Sequence, residues 1–181
     1  MRPGETALWI PIAAVFAASP AHATQYLTLA QAQKALFPGA GAFEPSPIAL
    51  TPQLKAALRE RSGQNAAGDE QPAWSALQGD KLIGRVFLDE VIGKHERITY
   101  AVGIGVDGAV RGVEILDYRE TRGGEVRDPR WRAQFVGKRA DSALRLDEDI
   151  QNISGATLSC RHVTDGVRRL VVLHALAYPQ P

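Results

Sequence analysis

Apolar and polar positions change their spacing twice along this chain. Between Thr28 and Leu36 the spacing is helical: Leu29, Ala32, Gln33, Ala35 and Leu36 continue a short helix behind a Thr28–Gln31 capping-box pair. Pro38 and Gly39 stop it, and the ten residues beyond, rich in Pro, Gly, Ala and Ser, read as a loop. Thr51-Pro52 puts a cap and a first-turn proline ahead of a second helix over 53–61, closed by Gly63. Residues 62–71 are polar and read as a linker. From Trp74 the period shortens: 81–88 and 98–104 read as strands, and 109–118 alternates like a third after the turn Val106-Asp107-Gly108. Helical spacing returns over 158–177, with Cys160, Val163, Val167, Leu170, Val171 and His174 on one face. Arg161, Asp165, Arg168 and Arg169 lie opposite, while Val172, Leu173 and Leu176 make the last turns apolar nearly all round. That helix is too short and too charged to cross a membrane.

The pattern predicts an α+β fold: a single domain with an antiparallel sheet packed with helices and a long C-terminal helix. Gly103-Ile104-Gly105-Val106-Asp107-Gly108 fits the Gly-x-Gly-x-x-Gly dinucleotide fingerprint. That fingerprint needs a helix after its glycines, and here an alternating strand follows an Asp-Gly turn, so a hairpin is the expectation. Beyond the third strand, Asp117 to Glu125 is a polar loop with two glycines, where backbone can approach a ligand. Asp128-Pro129 starts a short helix through Trp131 and Phe135, ending at Gly137. Residues 141–151 read as irregular, with room for a short strand.

Composition narrows the function. The 181 residues are 45% apolar and 23% charged, the usage of a soluble globular domain long enough to bury a core. A net charge of +1 gives no reason to expect a nucleic-acid partner. One cysteine, Cys160, excludes an internal disulfide framework and any multi-cysteine metal site, and the histidines show no metal-ligand spacing. The N-terminus has the layout of a secretory signal: Arg2, an apolar run over 7–18, Pro20, then Ala21-His22-Ala23. Residues 1–23 are therefore expected to be removed, with an uncleaved anchor as the alternative. No cysteine follows the site to carry a lipid. The mature chain is expected to have no transmembrane segment and to work in the periplasm.

The most chemical stretch is Ile153-Ser154-Gly155-Ala156-Thr157-Leu158, small residues immediately ahead of the long helix. Unpaired N–H groups and the partial positive charge of a helix N-terminus suit an anion there, and the Thr157 hydroxyl would sit where a phosphate arrives. The plain alternative is that Thr157 only caps the helix. A Ser154–His162–Asp149 hydrolase triad lacks any nucleophile-elbow pattern around the serine.

Ser154-Gly155-Ala156-Thr157 resembles the attachment motif of the FMN-binding domain family, which includes the C subunit of sodium-pumping NADH:quinone reductases, the G subunit of Rnf complexes and small extracytoplasmic flavoproteins. A second stretch, Tyr118-Arg119-Glu120-Thr121-Arg122-Gly123, resembles the family's His-x-Glu-Thr-Pro-Gly. Trp131, Gln134, Phe135, Gly137 and Lys138 match the helix that follows. The resemblance spans 98–173. It implies FMN held covalently through a phosphoester at Thr157, installed by a flavin transferase that uses FAD. Ser154, Gly155, Ala156 and Leu158 would then supply donors near the phosphate, and Glu120, Thr121 and Gly123 would lie near the flavin ring. No catalytic acid or base is implied, since the flavin does the chemistry. The expected division is a signal peptide over 1–23, a helical and loop region over 24–73, and an FMN-binding domain over 74–181.

Three departures stand out: Tyr118 where the family has His, Arg122 where it has Pro, and Gln151 where an aspartate is usual. Partners would be the transferase and a membrane or periplasmic redox protein. Two other readings stay open: a non-redox module that binds a phosphate-bearing ligand, and a subunit docked on a membrane redox complex.

Overall fold

The computed structural model describes residues 24–120 and 122–179. The expected signal segment and Thr121 lie outside the described residues.

Six strands form one antiparallel sheet, built on three long neighbours: β6 (Lys81–Ile92), β7 (Arg97–Gly105) and β8 (Val110–Tyr118). β5 (Ala73–Gln78) and β2 (Ala42–Pro45) extend the sheet on one side, and β1 (Thr24–Gln25) closes the other against the end of β8. β3 (Ile48–Ala49) and β4 (Glu70–Gln71) pair in a separate ribbon. The expected α+β antiparallel fold is what forms. The loop expected after Gly39 is different: it contains β2 and β3. Neither strand alternates, because an edge strand needs only a backbone partner, and β2 finds one in β5. Residues 141–151 form an isolated bridge between Leu146 and Ile150 where a short strand had room.

Alternation on the long strands sends side chains to two cores. Phe87, Ile98, Tyr100, Val102, Ile104 and Val113 face α4 (Thr157–Ala177) together with Val163, Val167, Leu170 and Val171 of that helix. Val86, Ala101 and Leu116 face the opposite side, against Ala32 and Leu36 of α1 (Leu29–Leu36) and against Phe37. α2 (Pro52–Ser62) packs on α4. The caps follow the sequence: Thr28 forms both halves of a capping box, Thr51 accepts the Leu54 N–H, and Gly63 ends α2 in the left-handed region at φ 72°. Gly105 to Gly108 forms the expected hairpin turn into β8 and opens no helix.

The polar side of α4 is less exposed than its spacing indicates. Arg169 reaches the sheet and pairs with Asp89 at 2.5 Å, and the buried Tyr100 hydroxyl donates to the same carboxylate. His174 is fully buried, in edge contact with the Phe87 ring.

Candidate functional site

The register of the sheet brings two chain reversals to one end. Ile92 pairs with Arg97 across the β6–β7 turn, and Ile98 pairs with Tyr118, so that turn stands beside the segment leaving β8. The turn is held from two sides. Glu120 Oε1 accepts the backbone N–H groups of His95 and Glu96, the latter at 2.9 Å. From α4, His162 Nδ1 donates to the Ile92 and Gly93 carbonyls, so its proton is on Nδ1. Burial alone would raise the Glu120 carboxyl, but the Glu96, His95 and Lys94 amides outweigh it and hold its pKa below the ordinary value.

The loop after β8 is fastened to the start of α4. The buried Tyr118 hydroxyl donates to the Arg122 carbonyl at 2.5 Å and shares a 3.1 Å hydrogen bond with Ser159 Oγ. Gly123 lies in this junction at φ 84°, and a Cβ there would stand 2.6 Å from the Tyr118 oxygen. Both conformation and close approach therefore require glycine. A short 3₁₀ turn over 124–127 leads to α3 (Pro129–Arg132), capped by Asp128, and the matched Trp131 is buried with its Nε1–H on the Gln151 carbonyl at 2.7 Å.

α4 begins without a side-chain cap. Ala156 occupies the cap position and Thr157 is the first helical residue, so the reading of Thr157 as a simple cap is not what forms. The first N–H to return into the helix is that of Cys160, to the Ala156 carbonyl at 2.9 Å. The amides of Thr157, Leu158 and Ser159 are the helix's orphan donors. Gly155 sets up this start at φ 86°, with nothing within 4 Å of the position a Cβ would take, so backbone conformation rather than space requires glycine. Asn152 Nδ2 donates to Thr157 Oγ1 at 3.1 Å, which leaves the hydroxyl hydrogen free to turn outward.

Two cavities open here and share Glu120, Arg122 and Gly155 as a common wall. One, of about 460 Å³, holds Ala156, Thr157 and Leu158 opposite Lys94 and His95. The other, of about 670 Å³, reaches Gly123, Gly124 and Tyr26, whose ring carries the Arg127 guanidinium at 4.0 Å. Of the residues expected at a site, Glu120, Gly123, Gly155, Ala156, Thr157 and Leu158 come together. Ser154 is exposed in the turn before the helix and lines neither cavity.

Lys94, His95, Asn152 and Tyr26 were missed by the sequence reading. For Lys94 and His95 a signal existed, since a turn between the first two long strands must lie at the end where the third strand finishes. Cys160 is buried, and burial pushes its thiol up, leaving it unreactive. Among the described residues no group of His, Cys, Asp or Glu is placed to hold a metal, and no helix is long and apolar enough to cross a membrane.

The uncapped threonine corner and the glycine-bearing loop thus adjoin the two cavities. Residues 93–172 match the FMN-binding domain family. The match runs from the β6–β7 turn into α4. Over 141 residues the chain is 28% identical to the G subunit of the proton-translocating ferredoxin:NAD(+) oxidoreductase complex of Clostridium ljungdahlii, covering 70% of this chain and 76% of that one. The fold is that of NqrC from Shewanella oneidensis, with a TM-score of 0.57 at 18% identity over 80% of this chain and 85% of that one. It is also that of the C subunit of the Na(+)-translocating NADH-quinone reductase of Parabacteroides distasonis, with a TM-score of 0.53 at 12% identity over 76% and 78%.

Proposed function

We propose that this chain is an exported flavoprotein that carries FMN through a phosphoester at Thr157 and passes electrons outside the cytoplasm. The observation that supports it most is the Thr157 hydroxyl, set at the first position of an uncapped helix and opening into a cavity that adjoins Glu120 and Arg122. The residues present suit the cofactor. Open amides of Thr157, Leu158 and Ser159 and the positive end of α4 would receive the phosphate, with Gly155 leaving the approach clear. Glu120 and the Gly123 backbone would border the ring system. From the sequence motifs alone, Thr121 is expected near the ring and Ser154 near the phosphate. The flavin, once bound, supplies reversible electron uptake; the protein supplies attachment, position and surrounding charge.

In attachment, the Thr157 oxygen would replace AMP on the phosphorus of the FMN half of FAD, with AMP as the leaving group and the hydroxyl proton released. A flavin transferase would perform this step after export, with residues 1–23 acting as the signal. The electron partner would be a membrane or periplasmic redox protein. Docking on a membrane complex is favoured over free diffusion by one fact: the relatives carry the names of complex subunits. Residues 24–73 then frame the cofactor domain that occupies 74–181.

The test is the intact mass of the exported chain co-expressed with a flavin transferase, followed by acid precipitation. A mass increase matching FMN, a yellow pellet, and a colourless Thr157→Ala variant are expected. Flavin released wholly into the supernatant would overturn covalency, and a colourless wild type would favour the non-redox binding module.

A further inference from the structure

Glu120 and Arg122 carry opposite charges on the wall between the two cavities, yet only one of them is engaged by the protein. Glu120 Oε1 takes two backbone amides of the β6–β7 turn. Arg122 has its main-chain carbonyl fixed by the Tyr118 hydroxyl, while its side chain is exposed. Among the described residues its guanidinium makes no hydrogen bond or ion pair. Lys94 lines the Thr157 cavity, and its ammonium likewise has no hydrogen bond or ion pair among the described residues. The Thr157 cavity is thus lined by two residues whose cationic groups have no ion-pair partner among the described residues, beside one carboxylate that backbone donors already satisfy, while the second cavity adds Glu125 and Arg127. Folding gains nothing from such an arrangement, because like charges held at one cavity repel and neither contributes an ion pair. A negative ligand is what would be stabilised by it.

We infer that Arg122, supported by Lys94, is a tuning residue that favours the reduced, more negative form of the bound cofactor. The inference rests on the flavin reading above. A cofactor that takes up electrons with fewer protons gains negative charge, and a guanidinium free to swing to its edge lowers the free energy of that form more than of the oxidised one. Arg122 is the stronger of the two. It borders both cavities, so the cofactor meets it whichever cavity receives the ring, whereas Lys94 borders only the one beside Thr157. The alternative use of the same charges is to hold the phosphate. That would affect how much cofactor is bound and leave the electron affinity alone, since an interaction equal in both oxidation states cancels.

The experiment compares wild type, Arg122→Gln, Arg122→Lys and Lys94→Gln, each co-expressed with a flavin transferase, by flavin content and then by midpoint potential. Arg122→Gln is expected to disfavour reduction about tenfold, a fall of about 30 mV for a two-electron couple. Arg122→Lys should restore most of it, because charge rather than the planar fork is the operative property. Lys94→Gln should fall in the same direction by less. Potentials equal to wild type in both glutamine variants would overturn the inference, and so would a loss of bound flavin at unchanged potential. A wild type that binds no flavin is a separate failure, seen before any potential is measured, and it removes the flavin reading itself.

Discussion

A Cβ built on Gly166 would overlap the hydroxyl oxygen of Tyr100. The glycine in the middle of α4 is therefore what lets a strand tyrosine push its phenol under the helix. There the phenol donates to Asp89, which also holds Arg169. Burial, and then the Asp89 charge, raise the phenol's pKa well above its ordinary value, so it remains a donor throughout the physiological range.

Gly166→Ala is expected to destabilise, although alanine is worth about 1 kcal/mol more than glycine in a helix. Forcing apart the helix and Tyr100 costs about 1–3 kcal/mol by overpacking, and disturbing the Asp89 network adds to it. A net loss of about 2 kcal/mol, or roughly 4–8 °C in Tm, is the expected result of thermal denaturation. Combined with Tyr100→Phe, the alanine should cost less than it does alone. Additive losses in that double variant would mean that the hydroxyl is not the obstacle.

Gly123→Ala should act on the site rather than on the core. It meets both a left-handed backbone at φ 84° and the Tyr118 oxygen. The loop is expected to part from Ser159, with faster amide exchange over 118–124 and reduced flavin loading, while the far end of α4 keeps its protection. Wild-type exchange in that loop would show that it is not fastened through Gly123.

His174 should give the fold a pH dependence. Burial, followed by the Arg85 charge, lowers its pKa to about 4 against an ordinary 6.5. Between those values the unfolded chain binds more protons than the folded one, so stability is full above about pH 6.5 and falls as pH drops towards 4. The shift corresponds to about 3 kcal/mol. His174→Phe keeps a ring beside Phe87 and Tyr178 and removes the titration. Urea midpoints measured from pH 7.5 to 4.5 should fall less steeply in that variant, and parallel slopes would contradict the assignment.

The carboxylates before the attachment motif should separate cleanly. Asp149 is not available to stand in for the aspartate that Gln151 lacks. Its oxygens hold Lys138 at 2.9 Å and the backbone amides of Leu144 and Arg145. Burial works against its ionisation, but these partners prevail and keep its pKa low. Asp149→Asn is therefore expected to lower Tm, whereas the exposed Gln151→Asp should leave Tm unchanged and quicken attachment modestly. A time course of the flavin mass shift beside a thermal melt checks both. Equal attachment rates for Gln151→Asp and wild type would show that the transferase does not read charge at this position.

Local chemistry made part of this molecule readable in advance. Thr28 with Gln31, Thr51-Pro52 with Gly63, and the Asp-Gly turn before β8 each act within a few residues, and each formed as expected. The apolar face of α4 was equally plain, because its period persists for five turns. The joining of Glu120 to the 93–96 turn could not be read, since two segments some 25 positions apart meet only through the register of β7. β2 was hidden for a related reason: its pairing is a property of β5, not of its own composition. Arg169 was read as a solvent-facing charge because helical period reports direction, not the length of a side chain that can reach back to Asp89.

The sheet is broad at its centre and abrupt at its flanks. Its long strands run nine to twelve residues, but the border strand β2 has only four and ends in Pro45. A short, proline-tipped border offers a neighbouring molecule almost no ladder to extend. At that flank, crowding of many copies gives intermolecular sheet little template from which to grow.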